Sequence, residues 1–520
     1  MHIFYFCQII HLIFFILKSY YMKSFFLSLF SLAVISATAQ PGGGPPPPAH
    51  KNAFLNQSFW QAKPSVETIK STIANGNNPA ELNSNSFDPV VFAINSDAPA
   101  ESILYLLAQK GNEVNKLTHD ARTYIFWSAS KGNIEIMKWL LSNGAKIDMV
   151  DSHGLSPLNF AANGGQKNIA VYDLLIKAGA DLTKDVDHDG ANALLLAVGG
   201  DNDLSLTQYF QSKGLDIKST DTEGNTAFNY AARTGNIVLM KKLLDKGVKF
   251  TNNAMVMASI GTRRGFNNIE VFEYLESLGI KPSTTSQSGA NALHSIVRRP
   301  GQEKLINYFL SKGTNVNQKD EEGNTVFMNA AVGSDMATLE LLNKTVKDIN
   351  ATNEAGATAL ALAVKGNTPE VVAYLIDKGA NLNILDAKGN NLAFYLTESY
   401  NPRTAASFEP KLKLLQTKGL NIATPQQDGN TLYHLAVTKN NLDLLKKVSA
   451  YGVDINAKNK EGVTALHKAA MLSKTDDMLR FLISLGAAKE IKTEFDETAF
   501  DLATENGFLK KEKISIDFLK

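Results

Sequence analysis

The chain has 520 residues, with 52 Lys and Arg against 51 Asp and Glu. At about 150 residues per domain, that length suggests three or four domains. The balanced charge argues against nucleic-acid binding through bulk positive charge, and 44% apolar with 20% charged residues argues against global disorder. One cysteine, Cys7, excludes a disulfide scaffold, a thiolate zinc site and a cysteine redox pair within the chain.

Residues 1–39 lack Asp and Glu and hold two apolar runs, Ile3–Leu17 and Phe25–Ile35. The second run has the layout of a secretory signal. Met22-Lys23 gives a positive start, Phe25–Ile35 an apolar core, and Ala37-Thr38-Ala39 small residues for cleavage before Gln40. Residues 1–21 therefore read as a mis-assigned extension before a true start at Met22, and 22–39 as a signal peptide. The expected location is outside the cytoplasm, periplasmic or secreted. The alternative is a membrane anchor, but each run is shorter than the roughly 20 residues a span needs, and Lys18 and Lys23 lie between them. No stable membrane span is expected in the mature chain. Residues 40–54, with Pro41-Gly-Gly-Gly-Pro-Pro-Pro-Pro48, read as a spacer.

From residue 55 a short pattern recurs: an Asp-x-x-Gly-like turn, then Thr or Asn, then Ala-Leu or Ala-Phe. Its glycines are Gly154, Gly190, Gly224, Gly289, Gly323, Gly356, Gly389, Gly429 and Gly462, mostly 33 to 36 residues apart. A second glycine series includes Gly144, Gly179, Gly247, Gly279, Gly313, Gly379, Gly452 and Gly486 and keeps the same period. Two markers sharing one period predict a repeat architecture. Each unit reads as two short helices. Thr226 is placed to N-cap the first, Gly235 breaks it, and Ile237–Lys246 forms the second, with Ile237, Leu239, Leu243 and Leu244 near one face and Gly247 as a left-handed C-cap. One unit cannot bury its apolar stripe alone, so stability requires a stack.

The segments Gly154-Leu-Ser-Pro-Leu-Asn-Phe-Ala-Ala162, Gly462-Val-Thr-Ala-Leu-His-Lys-Ala-Ala470 and Gly323-Asn-Thr-Val-Phe-Met-Asn-Ala-Ala331 resemble the signature of the ankyrin repeat family. The resemblance implies an all-α ankyrin-repeat helical solenoid of about thirteen units over 55–509, with 510–520 as a polar cap. It also implies a structural role for His294, His434 and His467 in bonding to neighbouring turns, and a partner protein docked on the concave side formed by turn tips and first helices.

Chemistry is sparse. Asp185-Val-Asp-His-Asp-Gly190 looks like the start of a calcium loop, but the twelfth position is Leu196 rather than a carboxylate. No two histidines after residue 40 lie three to five residues apart, although His153 and His188 fall in successive turns. No phosphate loop and no Gly-x-Ser-x-Gly elbow is present. The expectation is a non-catalytic scaffold without cofactor or metal, binding an envelope or extracellular protein and not nucleic acid.

Two groups of surface residues stand out for partner binding. Asn225, Asn324, Asn390 and Asn430 follow the turn glycines in equivalent slots, where they either serve a partner or stabilise the turns. Arg233, Arg263, Arg264, Arg298 and Arg299 follow the first helices of three consecutive units and suit an anionic partner. Two units are irregular, at 252–285 and at 386–426. Tyr400, Arg403 and Phe408 of the second are further candidates, and an enzyme or small-ligand site in these units is the alternative function.

Overall fold

A computed structural model describes residues 50–262, 265–401 and 404–520. The expected extension, signal peptide and most of the Pro/Gly spacer lie outside the described residues. Two compact units are present, one ending at Thr222 and the other running from Glu223 to Lys520. Both are stacks of short helix pairs; among the described residues the only β-pairing consists of isolated bridges. No helix among them is long and apolar enough to cross a membrane.

Packed chain starts early, since Phe54 and Trp60 are fully buried and the Trp60 indole N–H donates to the Phe54 carbonyl at 2.7 Å. In the first unit the first helices of successive repeats are Pro89–Asn95, Tyr124–Lys131, Pro157–Asn163 and Ala193–Val198. Their second helices are Ala100–Leu107, Ile134–Ser142, Ile169–Lys177 and Ser205–Ser212. The second unit continues the scheme from Ala227–Arg233 with Ile237–Asp245 to Ala499–Glu505. The core lies between layers: Leu239, Met240 and Leu243 are buried on one second helix, while Ala231 and Ala232 let the adjoining helix approach.

Most turns are built by their first residue. Asp151 Oδ1 accepts from the N–H groups of His153 and Leu155, both at 2.9 Å. Asp386 Oδ1 accepts likewise from Lys388 and Asn390, and Asn459 Oδ1 from Glu461 and Val463. The glycine three residues on is left-handed, as at Gly154 (φ 75°) and Gly462 (φ 69°). Turns then stack: Glu354 N–H donates to the Glu322 carbonyl, Ala387 to Ala355, Gln427 to Gly389 and Lys460 to Asp428, each at 2.9 Å.

The helix starts follow the usual capping rule in most repeats, with Ser156, Thr325, Thr358 and Thr464 accepting from an N3 backbone N–H. Thr226 departs from expectation. It occupies the N-cap position, but its hydroxyl donates to the Lys249 carbonyl at 2.7 Å and makes no capping bond. The next repeat lacks a hairpin, and this contact helps to fill the gap.

Helix ends are capped by the following repeat. Asn367 Nδ2 donates to the Ala331 and Ser334 carbonyls at 3.1 and 3.0 Å, and Asn506 Nδ2 to Ala470 and Ser473, both at 2.9 Å. Asn267 reaches Ala232 and Gln166 reaches Ser130 in the same way. In the repeat that carries the insertion, Lys411 takes over. It is 2% exposed, its Nζ donates to the Val364 carbonyl at 2.8 Å, and burial pushes its pKa down to about 8. The cation sits where the negative end of a helix dipole lies, which favours it.

His294, His434 and His467 each take a backbone N–H at Nδ1 from Asn291, Thr431 or Thr464, at 3.0 to 3.1 Å. Each Nε2 then faces a carbonyl of the next repeat: Gln318 at 3.1 Å, Val463 at 2.9 Å and Ile491 at 2.9 Å. A carbonyl only accepts, so these are neutral rings carrying the proton on Nε2. Burial lowers all three pKa values below the ordinary histidine value.

Two predictions follow from these caps. Asn367→Ala and Asn367→Asp both remove the donor and leave buried carbonyls unpaired, costing about 1–3 kcal/mol. Scanning calorimetry should show a lowered melting temperature for both; an unchanged Asn367→Asp variant would refute the cap. For the histidines, the folded pKa is depressed, so their contribution is complete above the unfolded value of about 6.5 and is lost as pH falls below it toward the folded values. His434→Leu is therefore destabilised relative to the parent at pH 7, and the difference narrows by pH 5. A difference that does not change with pH would contradict the assignment.

Candidate partner-binding surface

The turns and first helices share one face, and the residue four positions after each N-cap projects toward the turn row. In the first unit this slot holds Phe92, Trp127, Phe160 and Leu196, counted from the caps Asp88, Thr123, Ser156 and Asn192. The aromatic members form one run with Phe87. Ring centroids are 6.2 Å apart for Phe87–Phe92, 5.6 Å for Phe87–Trp127 and 5.6 Å for Trp127–Phe160. Phe87, Phe92 and Phe160 are half-buried, and Trp127 is anchored by its indole N–H donating to Thr118 Oγ1 at 2.9 Å. Such rings offer apolar contact area at small entropy cost, the property that enriches aromatics in interfaces.

Arg122 holds this run to the turns. Its guanidinium lies 4.3 Å from the Phe160 ring centroid and 5.3 Å from that of Trp127. Its Nε and Nη2 both reach Asp151 Oδ2 at 2.7 Å, and its Nη1 reaches Asp120 Oδ2 at 3.1 Å. Asp151 is buried, so the fork neutralises a carboxylate that could not otherwise stay charged cheaply.

The aromatic run is not among the sequence candidates, which are the asparagine row, the arginines and the insertion residues Tyr400, Arg403 and Phe408. Its signal was nonetheless present as Phe92, Trp127 and Phe160 in the register of the repeat.

The asparagine row has a different occupation. Asn324 Oδ1 accepts from Asn353 Nδ2 at 2.8 Å and Asn430 Oδ1 from Asn459 Nδ2 at 3.2 Å, joining one turn to the next. Asn390 Nδ2 donates to Asp386 Oδ2 at 3.0 Å. Asn225 is buried, and its Oδ1 accepts from Asn229 and Asn253. All four amides hydrogen-bond within or between turns, and Asn324, Asn390 and Asn430 stay half-exposed.

Of the arginine stripe, Arg263 and Arg264 lie outside the described residues, as does Arg403. Arg233 Nε donates to the Gly261 carbonyl at 3.2 Å, Arg298 Nη2 to Asn329 Oδ1 at 3.3 Å, and Arg299 stacks 4.5 Å from the Phe266 centroid. All three belong to the second unit and remain exposed. Phe408 is fully buried and packs edge-on against Tyr400 at 5.4 Å, which makes it a core residue of the insertion.

The calcium-like motif folds as a turn. Asp187 Oδ1 accepts from the N–H groups of Asp189 and Ala191, and Asp185 is engaged by the Ser156 hydroxyl and Asn159 Nδ2. Burial raises the pKa of both carboxyls. His153 turns to Asp120 of the preceding repeat, while the His188 ring fills the space a Cβ on Gly154 would need. Among the described residues no group of three or more His, Cys, Asp or Glu is placed to hold a metal ion.

The irregular repeat after Gly247 reaches its first-helix cap, Asn253, in six residues, where Gly313 to Thr325 takes twelve. The missing hairpin leaves an open cleft of about 350 Å³ lined by Glu223, Gln287, Ser288 and Glu321. Gln287 Nε2 spans it to donate to the Glu223 carbonyl at 3.0 Å.

Stacked helix pairs joined by Asx turns define a helical-repeat protein. A family model for ankyrin repeats matches residues 90–185, 293–386, 404–493 and 433–513, more than half of the chain. The chain belongs to the ankyrin repeat family. It is 26% identical over 280 residues to the Caenorhabditis elegans ankyrin repeat and KH domain-containing protein mask-1, covering 52% of this chain and 10% of that protein. To human transient receptor potential cation channel subfamily A member 1 it is 23% identical over 454 residues, covering 86% of this chain and 34% of the channel. The chain thus spans 10% and 34% of the length of these two relatives. A solved complex of the Bdellovibrio bacteriovorus predatory endopeptidase Bd0816 with immunity protein Bd3460 contains a chain matched at 26% identity and a TM-score of 0.30, covering 36% of this chain and 97% of that one. Membership of the ankyrin family supports a role in protein–protein interaction, with partners of unknown identity.

Proposed function

We propose that this chain is an exported, non-catalytic docking scaffold that binds an envelope or extracellular protein on the face formed by its turns and first helices. The observation that carries this reading is the aromatic run Phe87–Phe92–Trp127–Phe160, an apolar surface in a fold whose other polar turn atoms are largely engaged with one another. In the second unit the exposed Arg233, Arg298 and Arg299, with Arg263 and Arg264, add positive charge suited to an acidic segment of the partner. Asn225, Asn324, Asn390 and Asn430 enter this reading as the residues that hold the turn row in register. Export rests on the Met22–Ala39 leader pattern.

Photo-crosslinking separates this face from the rest. A benzophenone side chain at Leu196, in the aromatic slot, should give a discrete protein adduct in living cells, and one at Val238, 65% exposed on a second helix, should not. Equal labelling from both positions, or a bound metabolite with no protein adduct, would reverse the reading in favour of a small-ligand or enzymatic site. Intact-mass analysis of the exported protein should give Gln40 as the first residue; a mature terminus upstream of it would sink the signal-peptide assignment.

A further inference from the structure

The residue just before each turn lies on a hairpin arm beside the start of the first helix. Val186, for one, forms a bridge with Asn192, the cap of its helix. In the first unit this slot is aliphatic and open to solvent in successive turns. It holds Leu82, Leu117, Val150 and Val186, which are 43–54% exposed and precede the turns opening at Asn83, Thr118, Asp151 and Asp187. In the second unit the slot is mostly polar, as at Lys319, Thr352, Lys458 and Lys492. The aliphatic row runs beside the aromatic run, and together they make an apolar strip whose cover would release water. The ionised side chains bordering the strip are paired with one another, Arg122 with Asp120 and Asp151, so an uncharged apolar occupant suits it.

The chain carries a segment of that chemistry next to the strip. Pro41–Pro48 has five prolines, three glycines and no charged side chain. It lies outside the described residues, but its point of attachment does not. The His50 N–H donates to Asn56 Oδ1 at 2.8 Å, and Asn52 Nδ2 donates to the Asn78 carbonyl at 2.7 Å and to Glu81 Oε2 at 2.8 Å. The segment therefore joins the fold beside Glu81, the residue before Leu82 at the head of the row. Consecutive prolines favour the polyproline II helix, which rises about 3.1 Å per residue, so Pro45–Pro48 spans about 12 Å. Two ring-to-ring steps of 5.6 Å lead from Phe87 through Trp127 to Phe160, a matching length. Proline has its φ fixed before it binds and no N–H to satisfy, so it covers an aromatic surface at small entropic and desolvation cost.

We propose that Pro45–Pro48 folds back on the first unit and covers the strip headed by Leu82, Phe87 and Leu117. A short tether sets an effective concentration of about millimolar, so an affinity as weak as millimolar holds the segment in place about half of the time. The segment is then a built-in competitor on the docking face, and a partner must displace it. The contact itself is a property of the chain alone; only its effect on a partner rests on the docking reading.

The test uses the full exported chain with isotope-labelled leucine methyl groups, read by nuclear magnetic resonance. A variant combining Pro45→Gly, Pro46→Gly, Pro47→Gly and Pro48→Gly keeps the length of the tether. The replaced residues precede the packed chain, which starts at Phe54 and Trp60, so the fold is retained. Leu82 and Leu117 signals should shift between parent and variant, while Leu385, 55% exposed in the equivalent slot of the second unit, should not. A synthetic Gln40–Ala49 peptide should bind the variant and restore the parental shifts. It should bind the parent at least about twofold more weakly, the factor set by a half-occupied tethered competitor. In the parent a benzophenone side chain in place of Leu117 should crosslink to Pro41–Pro48 of the same chain. The proposal is overturned if Leu82 and Leu117 signals are identical in parent and variant, if the peptide binds both equally, or if the adduct joins two chains. A failed partner adduct at Leu196 leaves these readouts unchanged, so the two readings fail separately.

Discussion

An α-helix leaves its first four N–H and last four C=O groups without partners. Most first helices here have only five to eight residues, so nearly every backbone group in them is terminal. Such a helix cannot satisfy itself, and the rest of the architecture answers that deficit. Side chains from the same repeat cap the starts, and side chains from the following repeat cap the ends, as Asn367 does for Ala331 and Ser334. The dependence of one repeat on the next is therefore a matter of hydrogen-bond satisfaction as well as of shared apolar area. Stability of this kind is a sum of nearest-neighbour terms, and it leaves the opposite face, turns and first helices, free to vary in sequence.

Variation on that face explains how much of the molecule was legible in the sequence. The period, the paired helices, the left-handed glycines and the capping Ser and Thr residues follow local rules that involve one to four neighbouring positions. Those features were readable. The roles of Asn324 and Asn430 were not decidable, because a side-chain amide can face either solvent or the next turn, and the choice depends on Asn353 and Asn459, 29 residues away. Thr226 misled for a related reason: its expected cap is a local rule, overridden by a carbonyl 23 residues on that the missing hairpin brings within reach. Lys411 was invisible as a cap, since the insertion displaced it from the register in which its equivalents are Asn or Gln.

Charge shows the same division between sum and site. The chain is almost neutral, yet its ionisable groups are sorted by position. Carboxylates and lysines on successive second helices pair across the outer surface, as Asp173 does with Lys213 and Tyr209, and Glu276 with Lys312 and Tyr308. These exposed pairs are worth little individually, at about 0–1 kcal/mol each. Buried groups matter more per residue. The three imidazoles of the second unit are kept neutral because each must donate to a carbonyl, while the Arg122 guanidinium is paired with two aspartates.

The aromatic run of the first unit and the arginines of the second occupy one kind of surface with different chemistry. Phe87, Phe92 and Phe160 are half-buried and cap no helix, while Trp127 is anchored by its indole N–H to Thr118 Oγ1. Asn353, Asn459 and the capping amides are instead tied to groups of another repeat. A surface that can change without unfolding its support is what a docking protein needs in order to acquire a specific partner. The interruption after Gly247 fits the same logic: one hairpin is lost, Gln287 spans the gap to Glu223, and the helices on either side keep their pairing. Specificity in this chain is therefore to be sought in the slots where the period is kept and the residue type is not.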